Sequence, residues 1–178
     1  MTRSLLRPAL ATDPTTRRTG AAGLAAALAA ALAAAEHRWL QLVEYRPESR
    51  WSTLLPHDAA GVLDPSLHAD LTHAQVWLLS WLPGQGTDLH DHDGSAGAFA
   101  VVRGVLSERV GAREGAAELT AGRVRHFGPH HVHRVSNPGA EAAVSVHVYT
   151  PQLTVMNTYR VDGRVLVRTG TEEAGVDW

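Results

Sequence analysis

The 178-residue sequence contains no cysteine. That removes disulfides, thiolate metal ligands and a cysteine nucleophile, and leaves the redox compartment open. An excess of one charge is also missing. A formal net charge of -2 gives no electrostatic footprint for nucleic acid or for an anionic membrane surface. Neither a helix-turn-helix pattern nor an internal repeat is present, and no apolar run spans a bilayer comfortably. The longest, Ala21 to Ala35, is almost wholly Ala and Leu and falls short of the about 20 residues that a span needs. Arg17-Arg18 ahead of it imitate the basic start of a signal peptide. The run continues, however, into Glu36-His37-Arg38-Trp39-Leu40-Gln41-Leu42-Val43, and Leu24, Leu28, Leu32, Trp39 and Val43 share one face of a 3.6-residue period. The pattern predicts an amphipathic helix over about 20–45, with residues 1–19 as a flexible tail. Residues 20–178 suit a single domain with a sizeable core. The expected setting is a cytoplasmic monomer whose partners are small molecules, with no nucleic acid and no membrane.

Behind the helix the composition changes. Arg46 to Trp51 reads as a connector, and His57 to His73 as loop with one helical turn near Pro65–Leu71. From Gln75 onward come short β-prone runs bounded by turn residues: Val76–Leu82, Ala98–Val102, Val105–Val110, Arg123–Phe127, His131–Ser136, Ala142–Tyr149, Thr154–Val161 and Val165–Arg168. Arg103-Gly104 is a tight hairpin signal. Many short strands at regular spacing predict a mainly β fold, a sandwich or barrel behind an N-terminal helix.

Eleven histidines are present, and several cluster where chemistry would sit. His90 and His92 in Leu89-His90-Asp91-His92-Asp93 are two residues apart, so on a strand both project to one face and reach one ion. His133 in His130-His131-Val132-His133-Arg134-Val135 would join them from another strand. Three neutral imidazoles leave open positions on a metal, suiting Fe, Zn, Ni or Cu without choosing among them. His130 and His131 lie in a turn and are expected at the surface or behind the ligands. In Val144-Ser145-Val146-His147-Val148-Tyr149 the alternation places Ser145, His147 and Tyr149 on one strand face, able to relay hydrogen bonds.

Gly84, His90, His92, Gly97 and Gly104, followed by Gly122, Gly128-Pro129-His130, His133 and Asn137, resemble the two signatures of the cupin family, a small jelly-roll-like β-barrel. Gly97 stands where a cupin carries its Glu ligand, which makes the set all-histidine. Trp81, Leu89-His90-Asp91-His92-Asp93, Gly104 with Glu108, His133-Arg134-Val135 and Ser145 to Pro151 resemble, more narrowly, the cysteine dioxygenase (thiol dioxygenase) family of cupins, bacterial type, over about Trp39 to Pro151. The resemblance implies mononuclear non-haem Fe(II) on His90, His92 and His133, with Ser145, His147 and Tyr149 as catalytic support. It also implies that a small thiol and O₂ are converted to a sulfinic acid.

Two departures matter. Animal members cross-link a Cys to the Tyr corresponding to Tyr149; Gly97 stands there instead, so the phenol is free. Cysteine-selective members place an Arg two residues after an aromatic residue to bind the substrate carboxylate, and in Arg50-Trp51-Ser52-Thr53 that position is Thr53. Thr cannot grip a carboxylate bidentately. Either Arg50, Arg134 or Arg160 takes over, or the thiol is not cysteine but 3-mercaptopropionate or another small thiol. Arg50, Thr53 and Trp81 are the expected substrate-binding residues. A metal-binding cupin without turnover, or a cupin enzyme using another metal, is the alternative.

Overall fold

Valine at every second position from Val144 to Val148 gives one strand two unlike faces, and every residue of that strand is buried. A strand buried on both sides needs a covering layer on each, and the chain supplies a helix on one and a second sheet on the other. The computed structural model describes residues 14–59 and 61–175. Strands β1 (Trp51–Leu55), β2 (Gln75–Trp81), β3 (Leu89–Asp91), β4 (Ala96–Arg103), β5 (Val105–Val110), β6 (Ala117–Thr120), β7 (Val124–Phe127), β8 (His133–Ser136), β9 (Ala143–Thr150), β10 (Val155–Asp162) and β11 (Val165–Glu173) form two antiparallel sheets. Their orders are β1-β2-β9-β4-β7 and β11-β10-β3-β8-β5-β6. The fold is mainly β, the expected small barrel with a helix in front of it.

Two cores follow from the alternation. Val144, Val146 and Val148, with Val76, Leu78, Ala98 and Ala100, face outward against helix α1 (Pro14–Ala34), which buries Ala25, Leu28, Ala29 and Leu32 on them. Each leucine so buried contributes about 1.5–3 kcal/mol relative to exposure. Trp77, Leu79, Trp81, Phe99, Phe127 and Met156 fill the space between the sheets. The β4–β5 hairpin closes at Gly104, whose φ is +72°, and a Cβ there would come within 2.8 Å of the Ala142 carbonyl oxygen.

The helix ends earlier than the periodicity predicts. It stops at Ala34, and the chain continues through 3-10 turns at Glu36–Arg38 and Leu40–Leu42. Trp39 folds back and donates its indole N–H to the Leu32 carbonyl at 2.9 Å, a carbonyl of the last helical turn that also accepts from the Ala35 N–H. Trp39 therefore keeps its buried place without the helix continuing to it. At the other end α1 begins at Pro14, inside the expected tail, while residues 1–13 of that tail lie outside the described residues. Strands β1 and β6 were not expected, β3 is the strand expected to carry His90 and His92 but stops one residue short of His92, and β11 runs on to Glu173. Among the described residues no helix is long and apolar enough to cross a membrane.

Candidate metal centre

Strands β3 and β8 are neighbours, and His90 stands directly opposite His133 in their register. Opposed residues of an antiparallel pair project to one face, so the two imidazoles meet with ring centroids 4.8 Å apart. His92 follows one residue beyond β3 and returns to the same face, 5.0 Å from His90 and 5.1 Å from His133. One nitrogen from each ring lies within 4.8 Å of the others. All three are buried.

The hydrogen bonds decide which nitrogens are free. His90 Nδ1 lies 2.9 Å from the Asp88 carbonyl oxygen, which only accepts, so Nδ1 carries the proton and Nε2 a lone pair. His133 Nδ1 donates to Glu108 Oε1 at 2.8 Å, leaving its Nε2 free as well. Both nitrogens of His92 are buried without a hydrogen-bond partner. An unpartnered buried imidazole is costly, and a cation shared with His90 and His133 would satisfy it. Burial, then the charge of neighbouring His133, pushes His90 down to about 3. Burial likewise holds His92 well below its ordinary value. His133 is lowered by burial too, against the opposing pull of Glu108. Neutral imidazoles are the form that binds metal, so the residues present fit a metal ion.

Behind the ligands lies the row on β9. Ser145, His147 and Tyr149 face inward and are buried. Trp81 heads the row, donating its indole N–H to Ser145 Oγ at 2.9 Å. Indole nitrogen only donates, so the Ser145 hydroxyl is free to donate onward to His147 Nε2, also at 2.9 Å. Burial holds His147 far below its usual pKa, hence neutral, with its single proton on Nδ1 facing the Tyr149 oxygen at 3.3 Å. Burial raises the Tyr149 phenol, against the opposing charge of Arg50. The phenol therefore keeps its proton, and that proton is the one the row does not use internally. The ring of Tyr149 packs 4.9 Å from that of His92.

Gly97, opposite Tyr149 on β4, fits this packing because it has no side chain. A Cβ there would come within 2.7 Å of the Phe127 ring and 3.0 Å of the Tyr149 ring. Phe127 stacks on His92 at 4.8 Å. The Phe127 and Tyr149 rings thus occupy the space that a side chain at position 97 would need.

The expected substrate residues separate. Arg50 precedes β1 and lies 5.8 Å over the Trp81 ring, in a cavity of about 340 Å³ lined also by Asp88, His90, Arg134 and Glu172. Burial lowers the Arg50 pKa, opposed by Tyr149, Glu172 and Asp88. Thr53 is not brought to this cavity. It pairs with Leu78, whose side chain is in the helix-side core, so Thr53 projects away from the imidazoles. Trp81 is fully buried, with its N–H given to Ser145, and supports the row instead of lining the cavity. Arg160 is exposed and 3.3 Å from Asp162. His130 is exposed, and His131 reaches Glu108 Oε1 at 2.9 Å.

Other contributors carried weaker signals. Asp91, between the two ligands, turns outward and accepts from Tyr159 OH at 2.6 Å, Asn157 Nδ2 at 2.9 Å and the Asp93 N–H at 3.0 Å. These bonds pin a strand of only three residues. The two-residue spacing of the histidines marks Asp91 as outward-facing, but its side-chain partners come from β10, far along the chain.

The family described as cysteine dioxygenase type I matches residues 47–162. The chain belongs to the cysteine dioxygenase type I family. Its matched region includes Arg50, the three histidines and the Ser145-His147-Tyr149 row. Among solved structures, a protein of Thermus thermophilus is 26% identical over 64% of this chain and 93% of its own, with a TM-score of 0.50. A Klebsiella pneumoniae protein with a double-stranded β-helix domain is 21% identical over 62% of this chain and 80% of its own, at a TM-score of 0.50. A Silicibacter pomeroyi cupin described as a sugar phosphate isomerase is 20% identical over 73% of this chain and 80% of its own, at 0.50. The last two resemblances concern the fold.

Proposed function

We propose that the protein is a mononuclear non-haem Fe(II) thiol dioxygenase that adds both atoms of O₂ to the sulfur of a small carboxylate-bearing thiol, cysteine foremost. The observation that carries the reading is the buried chain Trp81–Ser145–His147–Tyr149, which ends in a protonated phenol packed against His92. Such a chain delivers one hydrogen-bond donor to the metal side of the barrel and has no other evident use there. Family membership supports the same chemistry.

When bound at His90, His92 and His133, ferrous iron would supply open positions at which sulfur and O₂ meet. The protein's own residues do the remaining work. Arg50, on the cavity side of His90, holds the substrate carboxylate and so fixes where the sulfur lies. His147, neutral and donating from Nδ1, keeps the Tyr149 oxygen an acceptor and turns its O–H toward the reacting atoms, where it stabilises developing negative charge on oxygen. Phe127, Phe99 and Trp77 keep bulk water from the row. The reaction balances without a reductant: sulfur loses four electrons, O₂ gains four, and the thiol becomes a sulfinic acid. A chain without cysteine also offers the site no thiol of its own to oxidise.

The test is oxygen consumption by Fe(II)-loaded protein with cysteine, 3-mercaptopropionate and cysteamine, with sulfinate identified by mass spectrometry. One O₂ is expected per sulfinate formed. Tyr149→Phe should lower kcat by about ten- to a hundred-fold, as expected for loss of one hydrogen bond to a charged group, with KM little changed. Absence of oxygen uptake with every thiol would leave a metal-binding module and end the dioxygenase reading.

A further inference from the structure

The all-histidine set lacks the carboxylate that a cupin places on its metal, and Gly97 cannot be replaced by one, because even a Cβ meets the Phe127 ring at 2.7 Å. A carboxylate is nevertheless present one hydrogen bond away. Glu108 on β5 is buried and directs Oε1 at His133 Nδ1, 2.8 Å distant, on the side of the imidazole opposite its free Nε2. We propose that Glu108 is the positioning residue of the metal centre: it fixes the His133 tautomer and ring, and through that imidazole it supplies the negative charge that the missing ligand would have given directly. A charged acceptor on Nδ1–H makes Nε2 a stronger donor, in the manner of carboxylate–histidine–metal arrangements generally.

The surroundings of Glu108 are those of a fixed charge. Oε1 also accepts from His131 Nε2 at 2.9 Å, and Oε2 accepts from Arg125 on β7. Three donors hold the two oxygens, so the carboxylate cannot swing away from His133. Arg125 borders an outer cleft between β6 and β7 and is partly exposed, so one end of the network reaches solvent while the other ends on a ligand. A purely structural part is the competing account, since the same bonds tie β5, β7 and β8 together. The two accounts part on what the metal feels. The inference rests on the three-histidine centre and not on turnover.

Glu108→Gln removes the charge and keeps the shape, while Arg125→Met removes a tie between strands and keeps the charge. Co(II) affinity is measured by competition with a chelating dye, the Fe(III)/Fe(II) midpoint potential by redox titration, and melting on the metal-free proteins. Glu108→Gln should weaken Co(II) binding by about ten- to a hundred-fold and raise the iron potential. Arg125→Met should bind Co(II) as well as the parent or better, even where it melts lower. The proposal is overturned if Glu108→Gln retains affinity within about three-fold and leaves the potential unmoved, or if Arg125→Met loses as much affinity as Glu108→Gln. Should Glu108→Gln fail to fold, Arg125→Met decides alone: unchanged or tighter binding supports the proposal, and about ten-fold weaker binding ends it. Because neither readout needs a thiol or oxygen, an inactive protein that shows these shifts would refute the dioxygenase reading and leave this one standing.

Discussion

Arg50→Met is expected to lower kcat/KM for cysteine by about a hundred- to a thousand-fold, and for cysteamine, which has no carboxylate, by no more than about three-fold. The magnitude follows from burial. Removing one partner of a desolvated, hydrogen-bonded charge pair costs about 2–5 kcal/mol, and each 1.4 kcal/mol is about ten-fold. On the proposed reading Arg50 becomes such a partner when the substrate binds, since it lies over Trp81 in a cavity it shares with His90. Methionine keeps the apolar stem against Trp81, so the loss reports the guanidinium and not the packing. Arg50→Lys should recover little, since an ammonium cannot reproduce the two-pronged fit to a carboxylate. Thr53→Ala should leave every rate unchanged, because Thr53 faces the helix-side core. Oxygen-uptake kinetics with cysteine, 3-mercaptopropionate and cysteamine decide the matter. An equal fall for cysteamine would make Arg50 a structural residue and return the carboxylate site to Arg134.

Where local pattern sets structure, the sequence was readable. His90 and His92 share a face because strand geometry alternates whatever the partners are. Ser145, His147 and Tyr149 were legible as a row for the same reason, though not as buried, since that depends on the opposite sheet. The features that escaped are those decided by distant chain. β1 is an edge strand of five residues, and which face of it carries Thr53 is set by its register on β2, not by Arg50-Trp51-Ser52-Thr53 itself. The bounds and neighbours of β3 also escaped, since its three residues are held by β10 and β8 on either side. The end of α1 was hidden because Trp39 continues the periodicity of Leu24, Leu28 and Leu32 while folding back onto the Leu32 carbonyl. Glu108 could be singled out only by its spacing from Gly104. Its contact with His133, 25 residues later, is a product of β5 pairing with β8.

The metal-free protein should lose stability steadily as the pH falls below about 6.5 and unfold in acid, with several protons taken up in the transition. In the unfolded chain each imidazole is protonated as the pH falls through about 6.5. In the folded chain burial lowers His90 to about 3 and holds His92, His133 and His147 below their ordinary value. Below about pH 6.5 the unfolded state therefore binds more protons than the folded one, and stability declines with every further drop in pH. It is fully present only above that value. An imidazole that stays neutral in the fold costs about 1.4 kcal/mol of stability per pH unit between about 6.5 and its own folded value. The losses have the same sign and add, against a total stability of about 5–15 kcal/mol for a domain. Glu108, lowered despite its burial by bonds from His131, His133 and Arg125, adds loss of the same sign. It does so only at still lower pH, where the ordinary carboxylate titrates near about 4.3. A bound cation occupies the lone pairs that protons would take, so loading with Co(II) should move the transition to lower pH and steepen it. Fluorescence of the buried tryptophans and far-ultraviolet circular dichroism, followed against pH with and without Co(II), measure both effects. A stability that does not fall between about pH 6.5 and 4, or uptake of a single proton in the transition, would mean that these imidazoles are charged or solvated in the fold, and the neutral metal-binding set would be lost with them.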